Sequence, residues 1–440
     1  MREDWWSCNG EGRKGASASP QWNRASGVLA SRRTVLLTLG GLFAAWSGRR
    51  TALGQATFRS TRKAGNVLVA IFMRGGADGL NMVVPYAEPA YYRARPNLAI
   101  AAPNDSRASS KARALDLNGF FGLHPSLAPF ADLYRQGQMA VVHACGSGDQ
   151  TRSHFEAMST LERGALRDHA GPSSGWLARH LLATTEGDDS PLRAVAFADT
   201  LPDSLRGATS AIALDDLKDF KLLGGSGFED ALGTIYGGRD AVAHAGQQTL
   251  SVLKTLRNLD IGAYRPSNGA KYPNSDLGSG LQQIACLIRA QAGLEIACLD
   301  KGGWDTHVAQ GADAGWQASL MQDLSSSVDA FCRDMGPQMS RVTVLIMSEF
   351  GRRLAENAGL GTDHGRGCPL YVIGGGLRKA TIAGSWPGLE PNQLDEVGDL
   401  KVTTDYRSVF GEVLEKRMGN RNIATVFPDV TGSLDLLTPA

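Results

Sequence analysis

Three short clusters in the second half of the chain combine carboxylates with imidazoles. They are Gly302-Gly303-Trp304-Asp305-Thr306-His307, Ser348-Glu349-Phe350-Gly351-Arg352 and Thr362-Asp363-His364-Gly365. The first two follow apolar runs, Leu294 to Leu299 and Val342 to Met347; the third leads into another, Leu370 to Ile373. Strand ends of a parallel sheet deliver side chains to one rim, where ligands bind. Asp305, His307, Glu349 and His364 gathered there could share a cation. Mixed oxygen and imidazole ligands suit Zn, Mn or Fe, as one ion or two. Asp305 and His307 are two apart, so in an extended segment both point the same way. Glu349 ends the most apolar run, where an unpaired carboxylate is costly. A plain salt bridge to Arg352 is the alternative there.

Asp78 is a further candidate ligand, at the tip of Arg74-Gly75-Gly76-Ala77-Asp78-Gly79-Leu80-Asn81, although taken in isolation this segment reads more readily as an Asp-Gly turn. The run Gly146-Ser147-Gly148-Asp149-Gln150-Thr151-Arg152-Ser153-His154 places hydroxyls where a helix begins. A helix N-terminus favours negative charge. A hydroxyl beside a metal there can act as a nucleophile. Ser153 is the first choice and Thr151 the second; the alternative is that one of them caps the helix. His154 suits a ligand, a proton donor or a packed residue. Arg352, or Arg74, could meet the oxygens of an anionic substrate.

Apolar runs of strand length alternate with helical patterns. Strands are expected at 66–73, 139–143, 193–198, 294–299, 342–347 and 370–373. Helices are expected at 125–136, 152–163, 175–184, 281–292, 315–335 and 406–418, with Asp405 as N-cap of the last. Strands apolar on both faces, alternating with helices, predict an α/β fold. Its sheet is mostly parallel, with helices on both faces. Residues 201–280 read as a helical insertion or cap, with helical stretches near 214–220 and 241–258.

Ser31-Arg32-Arg33-Thr34 precedes an apolar stretch too short and glycine-broken to span a bilayer, and Gly54-Gln55-Ala56 offers small residues for cleavage. Residues 1–56 therefore read as a disordered leader with a twin-arginine signal, to be handled by the twin-arginine translocase and removed on export to the periplasm. From residue 57 on, 37 basic and 41 acidic side chains remain without a basic block, which argues against nucleic acid. No later run is long enough for a membrane helix. Five cysteines beyond the leader, scattered and odd in number, form no disulfide framework.

The stretches Arg74–Pro85, Leu123–Pro129, Arg152–Phe155, Gly302–His307, Ser348–Arg352 and Gly361–Gly365 together resemble the DUF1501 family, whose members typically carry twin-arginine signals. That family resembles the alkaline phosphatase and sulfatase superfamily. The resemblance implies that fold and one or two divalent metals beside a Ser or Thr nucleophile. By it, Asp305, His307 and His364 would hold one metal. Asp78, Ser153 or Thr151, and Glu349 would approach a second, completed by Asn81 or His154, since Phe350 stands where the superfamily usually has a histidine. The function so implied is an exported metal-dependent hydrolase of phosphate or sulfate esters, acting on a small anionic ester or a sulfated or phosphorylated glycan. The alternative is a non-catalytic envelope protein that keeps the fold and at most one metal.

Overall fold

The computed structural model describes residues 65–167, 171–184, 192–218, 226–259, 261–430 and 432–440. All belong to the compact unit Gln55–Ala440. The expected leader and twin-arginine signal lie outside the described residues.

A large sheet organises this unit. Its strands are β1 (Val67–Met73), β2 (Met139–Gly146), β3 (Ala194–Phe197), β4 (Ala211–Leu214), β5 (Ile296–Lys301) and β6 (Val342–Ser348). After a small hairpin, β7 (Arg352–Glu356) with β8 (Thr362–His364), the sheet resumes with β9 (Cys368–Gly374), β10 (Thr381–Ala383) and β11 (Thr404–Asp405). The sheet order is β10-β2-β9-β6-β1-β5-β3-β4, with β11 beside β2. Every pairing is parallel except those of β9, which runs against both β2 and β6. The α/β class and the mostly parallel sheet are as expected. The reversal of β9 brings the loop before it to the rim where β1, β2, β5 and β6 end.

The main helices are α1 (Ala128–Arg135), α2 (His154–Arg163), α3 (Trp176–Ala183), α4 (Ser226–Ile235), α5 (Ala241–Asn258), α6 (Asp276–Arg289), α7 (Trp316–Met335) and α8 (Tyr406–Lys416). They cover both faces, and β1 shows why its sequence is apolar throughout. Val67, Val69, Ile71 and Met73 pack with residues of α1, α6 and α7. Leu68, Ala70 and Phe72 face the other way, toward α2, α3 and α8. Successive strand side chains point to opposite faces, so a strand buried on both sides needs no polar residue. Asp405 caps α8, its carboxylate accepting from Arg407 N.

Two expectations need correction. The segment 201–280 is not helical alone, since it also supplies the edge strand β4; a four-residue Ala/Ile/Leu strand is too short to show a period. Its helices α4 and α5 pack on each other through Leu232, Leu250 and Leu253. Helix α2 begins at His154 rather than at Arg152, because Arg152 has a left-handed backbone, φ +56°. Among the described residues no helix is long and apolar enough to cross a membrane. The five cysteines are buried and unpaired.

At the far end of the sheet Glu295 lies buried beside His180 Nε2 (3.0 Å) and Arg193 Nε (2.6 Å). Burial pushes its pKa up, but hydrogen bonds and charge from His180 and Arg193 outweigh that and hold it at about 2, against the usual 4.5. The folded state thus takes up this proton less readily than the unfolded chain. The stabilisation, about 3 kcal/mol, is present above pH 4.5 and disappears as pH falls toward 2. Thermal midpoints followed from pH 5 to pH 2 are expected to show this loss in the native protein. In Glu295→Gln the midpoint is low already at neutral pH.

Candidate metal centre

Glycines let the rim close. Gly75 follows β1 with φ +121°, and a Cβ there would lie 2.6 Å from Asp305 N. At Gly76 it would lie 2.3 Å from the Phe350 ring. Only residues without side chains allow the loops after β1, β5 and β6 to touch at these points. The β7–β8 hairpin pairs Arg352 with His364 and so brings the third cluster to the same place.

Three imidazoles and one carboxylate meet there. His307 Nε2 and His364 Nε2 are 2.9 Å apart. Asp305 Oδ1 is 3.1 Å from the first and 3.2 Å from the second. His154 Nε2 lies 3.5 Å from Asp305 Oδ2. Ligand atoms of His154, Asp305 and His364 all fall within 4.8 Å of one another.

The other nitrogen of each ring settles which atoms carry protons. His364 Nδ1 faces the Arg152 carbonyl at 2.9 Å, which can only accept. His307 Nδ1 faces Asp363 Oδ1 at 3.2 Å, and His154 Nδ1 faces Glu349 Oε1 at 2.7 Å. Each Nδ1 therefore donates outward, and in the neutral rings each Nε2 presents a lone pair inward. His154 Nε2 is buried without a hydrogen-bond partner. A carboxylate or carbonyl holding the outer N–H of an inward-facing imidazole is the usual arrangement behind a metal-ligating histidine. Tetrahedral Zn–N bonds of about 2.0–2.1 Å put ligand atoms roughly 3.3 Å apart; the spacings among Asp305, His307 and His364 are within a few tenths of that, and His154 joins Asp305 and His364 within 4.8 Å. The donor set fits a divalent cation.

Arg352 is fully buried and aims the carboxylate. Its Nη2 donates to Asp305 Oδ1 (2.6 Å) and reaches the carbonyls of Gly75 (2.5 Å) and Trp304 (3.2 Å). Nε donates to Gly76 O and Nη1 to Thr362 O. Burial alone would raise the pKa of Asp305, but the hydrogen bond and charge of Arg352 take it down to about 2. The other Asp305 oxygen faces His154. The Glu349 hydrogen bond raises the pKa of His154, whereas burial lowers that of His364. The hydrogen bond from Asn357 lowers that of Asp363. The Phe350 ring packs 4.9 Å from His154 and 5.0 Å from His364, walling the imidazoles where it cannot itself bind metal.

Of the expected residues, Asp305, His307 and His364 are brought together, and Asp78, Glu349, Thr151 and Arg352 stand differently from their expected roles. The Asp78 carboxylate accepts from Arg95 Nη1 (2.6 Å) and Nη2 (2.9 Å) and from Gln310 (2.7 Å); it is a buried ion pair. Asn81 is bound to Arg95, Tyr91 and Leu98 O. Glu349 accepts from Gly75 N (2.8 Å) and pairs with His154 Nδ1 (2.7 Å), which places it behind His154 rather than among the atoms that face the cluster. It does not pair with Arg352. Arg352 spends its donors on the carbonyls of Gly75, Gly76, Trp304 and Thr362 and on Asp305, with Nη1 also 3.5 Å from His307 Nε2, and Arg74 is bound to Glu162 and Asp300; both are largely committed within the protein. Thr151 donates to Asp149 and accepts from Ser153 N, closing a local turn. Ser153 occupies the N-cap position of α2, yet its side chain makes no capping bond. His154 joins the cluster as a candidate ligand, although the sequence assigned it no settled role. Its signal was position: the first helical residue after a loop from a strand end.

Residues 238–427, somewhat under half of the chain, match the family described as a protein of unknown function, DUF1501. The resemblance read from the sequence motifs is thereby matched. No curated protein matches the chain. Among solved structures, an alkaline phosphatase from the Antarctic bacterium TAB5 is similar at 8% identity and a TM-score of 0.27, over 71% of this chain and 92% of that one. A putative sulfatase from Bacteroides thetaiotaomicron is similar at 11% identity and a TM-score of 0.28, over 72% and 66%. Superpositions this loose transfer no residue role, so the chemistry rests on the atoms of the site.

Proposed function

We propose that the chain is an exported metal-dependent hydrolase of phosphate or sulfate esters, with one divalent ion, Zn, Mn or Fe, held by His154, Asp305, His307 and His364. The observation that carries this reading is the outward locking of three imidazoles. Without a cation, three lone pairs and a carboxylate would face one another with only Arg352 to balance them. A cation there would act as a Lewis acid, polarising the ester and lowering the pKa of a nearby hydroxyl or water.

The chain's own residues supply the rest. Ser153 directly precedes a ligand, and its hydroxyl is not used as a cap. In the proposed reaction Ser153 Oγ bonds to phosphorus or sulfur as the ester oxygen leaves with a proton, and water later releases the anion. The first N–H groups of α2 face the same end and favour the charge on the equatorial oxygens. Side chains of Asp305 and His307 are 47% and 39% exposed, so substrate can reach them. Phe155 and Trp316, 82% and 61% exposed, adjoin this mouth in the chain: Phe155 follows His154, and Trp316 donates to Gly303 O. Such rings suit the sugar or aryl part of an ester.

One observation favours the rival, a non-catalytic envelope protein with a single structural ion. Asp78 and Glu349, which a second metal would use, are committed to Arg95 and to His154. Turnover of aryl phosphate and aryl sulfate by the metal-loaded protein decides between them. Ser153→Ala is expected to lower the rate a hundredfold or more with metal content unchanged. Bound metal with no turnover on either ester would support the rival.

A further inference from the structure

Asp399 lies in the connection between β10 and β11 and is fully buried. Its Oδ2 accepts from Arg152 Nε (2.9 Å) and Nη2 (2.6 Å). Arg152 carries a left-handed backbone, φ +56°, which a residue with a Cβ adopts at a cost of about 1–2 kcal/mol. Something must hold it there, and the ion pair does. The strained conformation has a consequence one atom away: the Arg152 carbonyl is the acceptor that fixes the Nδ1 proton of His364.

The same carboxylate stands near the support of a second imidazole, through charge rather than hydrogen bonds, since Asp399 Oδ1 and Arg353 Nε have no hydrogen-bond partner. Asp399 Oδ1 lies 3.8 Å from Arg353 Nε, and a backbone bridge joins Arg353 to Asp399. Arg353 Nη1 lies 3.9 Å from Asp363 Oδ2, and the other oxygen of Asp363 holds His307 Nδ1. Two of the three outward locks thus lead back to one buried group, distant in sequence and outside the ligand set.

We infer that Asp399 is a positioning residue for the metal centre, acting through Arg152 on His364 and through Arg353 and Asp363 on His307. This rests on the three-imidazole reading of the site. If the Arg152 side chain is released, its backbone relaxes toward an ordinary conformation and the carbonyl turns from Nδ1. His364 is then free to place its proton on Nε2, where it excludes a cation. Loss of such an outer partner lowers metal affinity by about 10–100-fold.

The test is the dissociation constant for Zn(II) and Co(II), with the visible spectrum of the Co(II) protein as a measure of ligand geometry. Asp399→Asn is expected to weaken binding ten- to hundredfold and to alter the Co(II) bands, with partial recovery in Asp399→Glu. Arg152→Ala loses the ion pair but keeps the Cβ, and is expected to show the same weakening; Arg152→Gly adopts φ +56° without strain and is expected to bind more tightly than Arg152→Ala. Asp399→Asn and Arg152→Ala variants with native affinity and spectrum overturn the positioning role while leaving the metal site standing. A native protein that takes up neither ion overturns the metal reading itself.

Discussion

Asp78→Asn is expected to destabilise the protein by about 3–5 kcal/mol, the typical cost of leaving one member of a buried ion pair unpaired. In the native protein Arg95 and Asp78 are each 0% exposed. Two guanidinium nitrogens meet the two carboxylate oxygens, and Gln310 adds a third donor. An asparagine keeps the shape but not the charge, so a guanidinium would remain in a dry interior. For a unit of this size the midpoint of thermal unfolding falls by roughly 4–6 °C. Exchanging both partners, as Asp78→Asn with Arg95→Met, removes the charge rather than stranding it and recovers part of the loss. Metal bound per folded chain stays the same in all of these proteins. An Asp78→Asn protein of native stability that had lost its metal would show that the carboxylate is a ligand after all, and a second ion would return.

That carboxylate also shows where reading a sequence stops. Asp78 stands on a glycine-rich turn after an apolar strand, which is where a ligand would stand. Nothing local distinguishes it from one, because its partner is Arg95, on a different segment. Strands buried on both faces announce themselves, as β1 and β6 do, since burial alone decides their composition. The direction of β9 does not, for its apolar residues would read the same either way. Strands of two to four residues such as β4, β10 and β11 have no period to detect. At the site, Asp305, His307 and His364 were legible because each borders an apolar strand. Arg352 was legible as a partner for a carboxylate, but the partner is Asp305 across the rim rather than Glu349 three residues before it. Glu349 in turn serves His154, 195 positions earlier. Roles of this kind belong to pairs of residues, and only the fold makes the pairs.

Removing an imidazole from the centre is expected to have the larger effect on the ion itself. Structural metal sites with four ligands bind with about 10–16 kcal/mol. One ligand in four is therefore worth roughly 2.5–4 kcal/mol, a weakening of about a hundred- to a thousandfold. His364→Ala and His154→Ala should each show it in the dissociation constant for Zn(II), whereas Glu349→Gln, which only loosens His154, should show ten- to hundredfold. The comparison separates two geometries. If His154 is a ligand, its alanine variant resembles His364→Ala. If the ion rests on Asp305, His307 and His364 alone, His154→Ala binds as the native protein does. In that case the raised pKa of His154 beside Glu349 marks it as a proton donor to the leaving group of the ester. The order of these three affinities thus assigns the role that His154 plays next to Ser153.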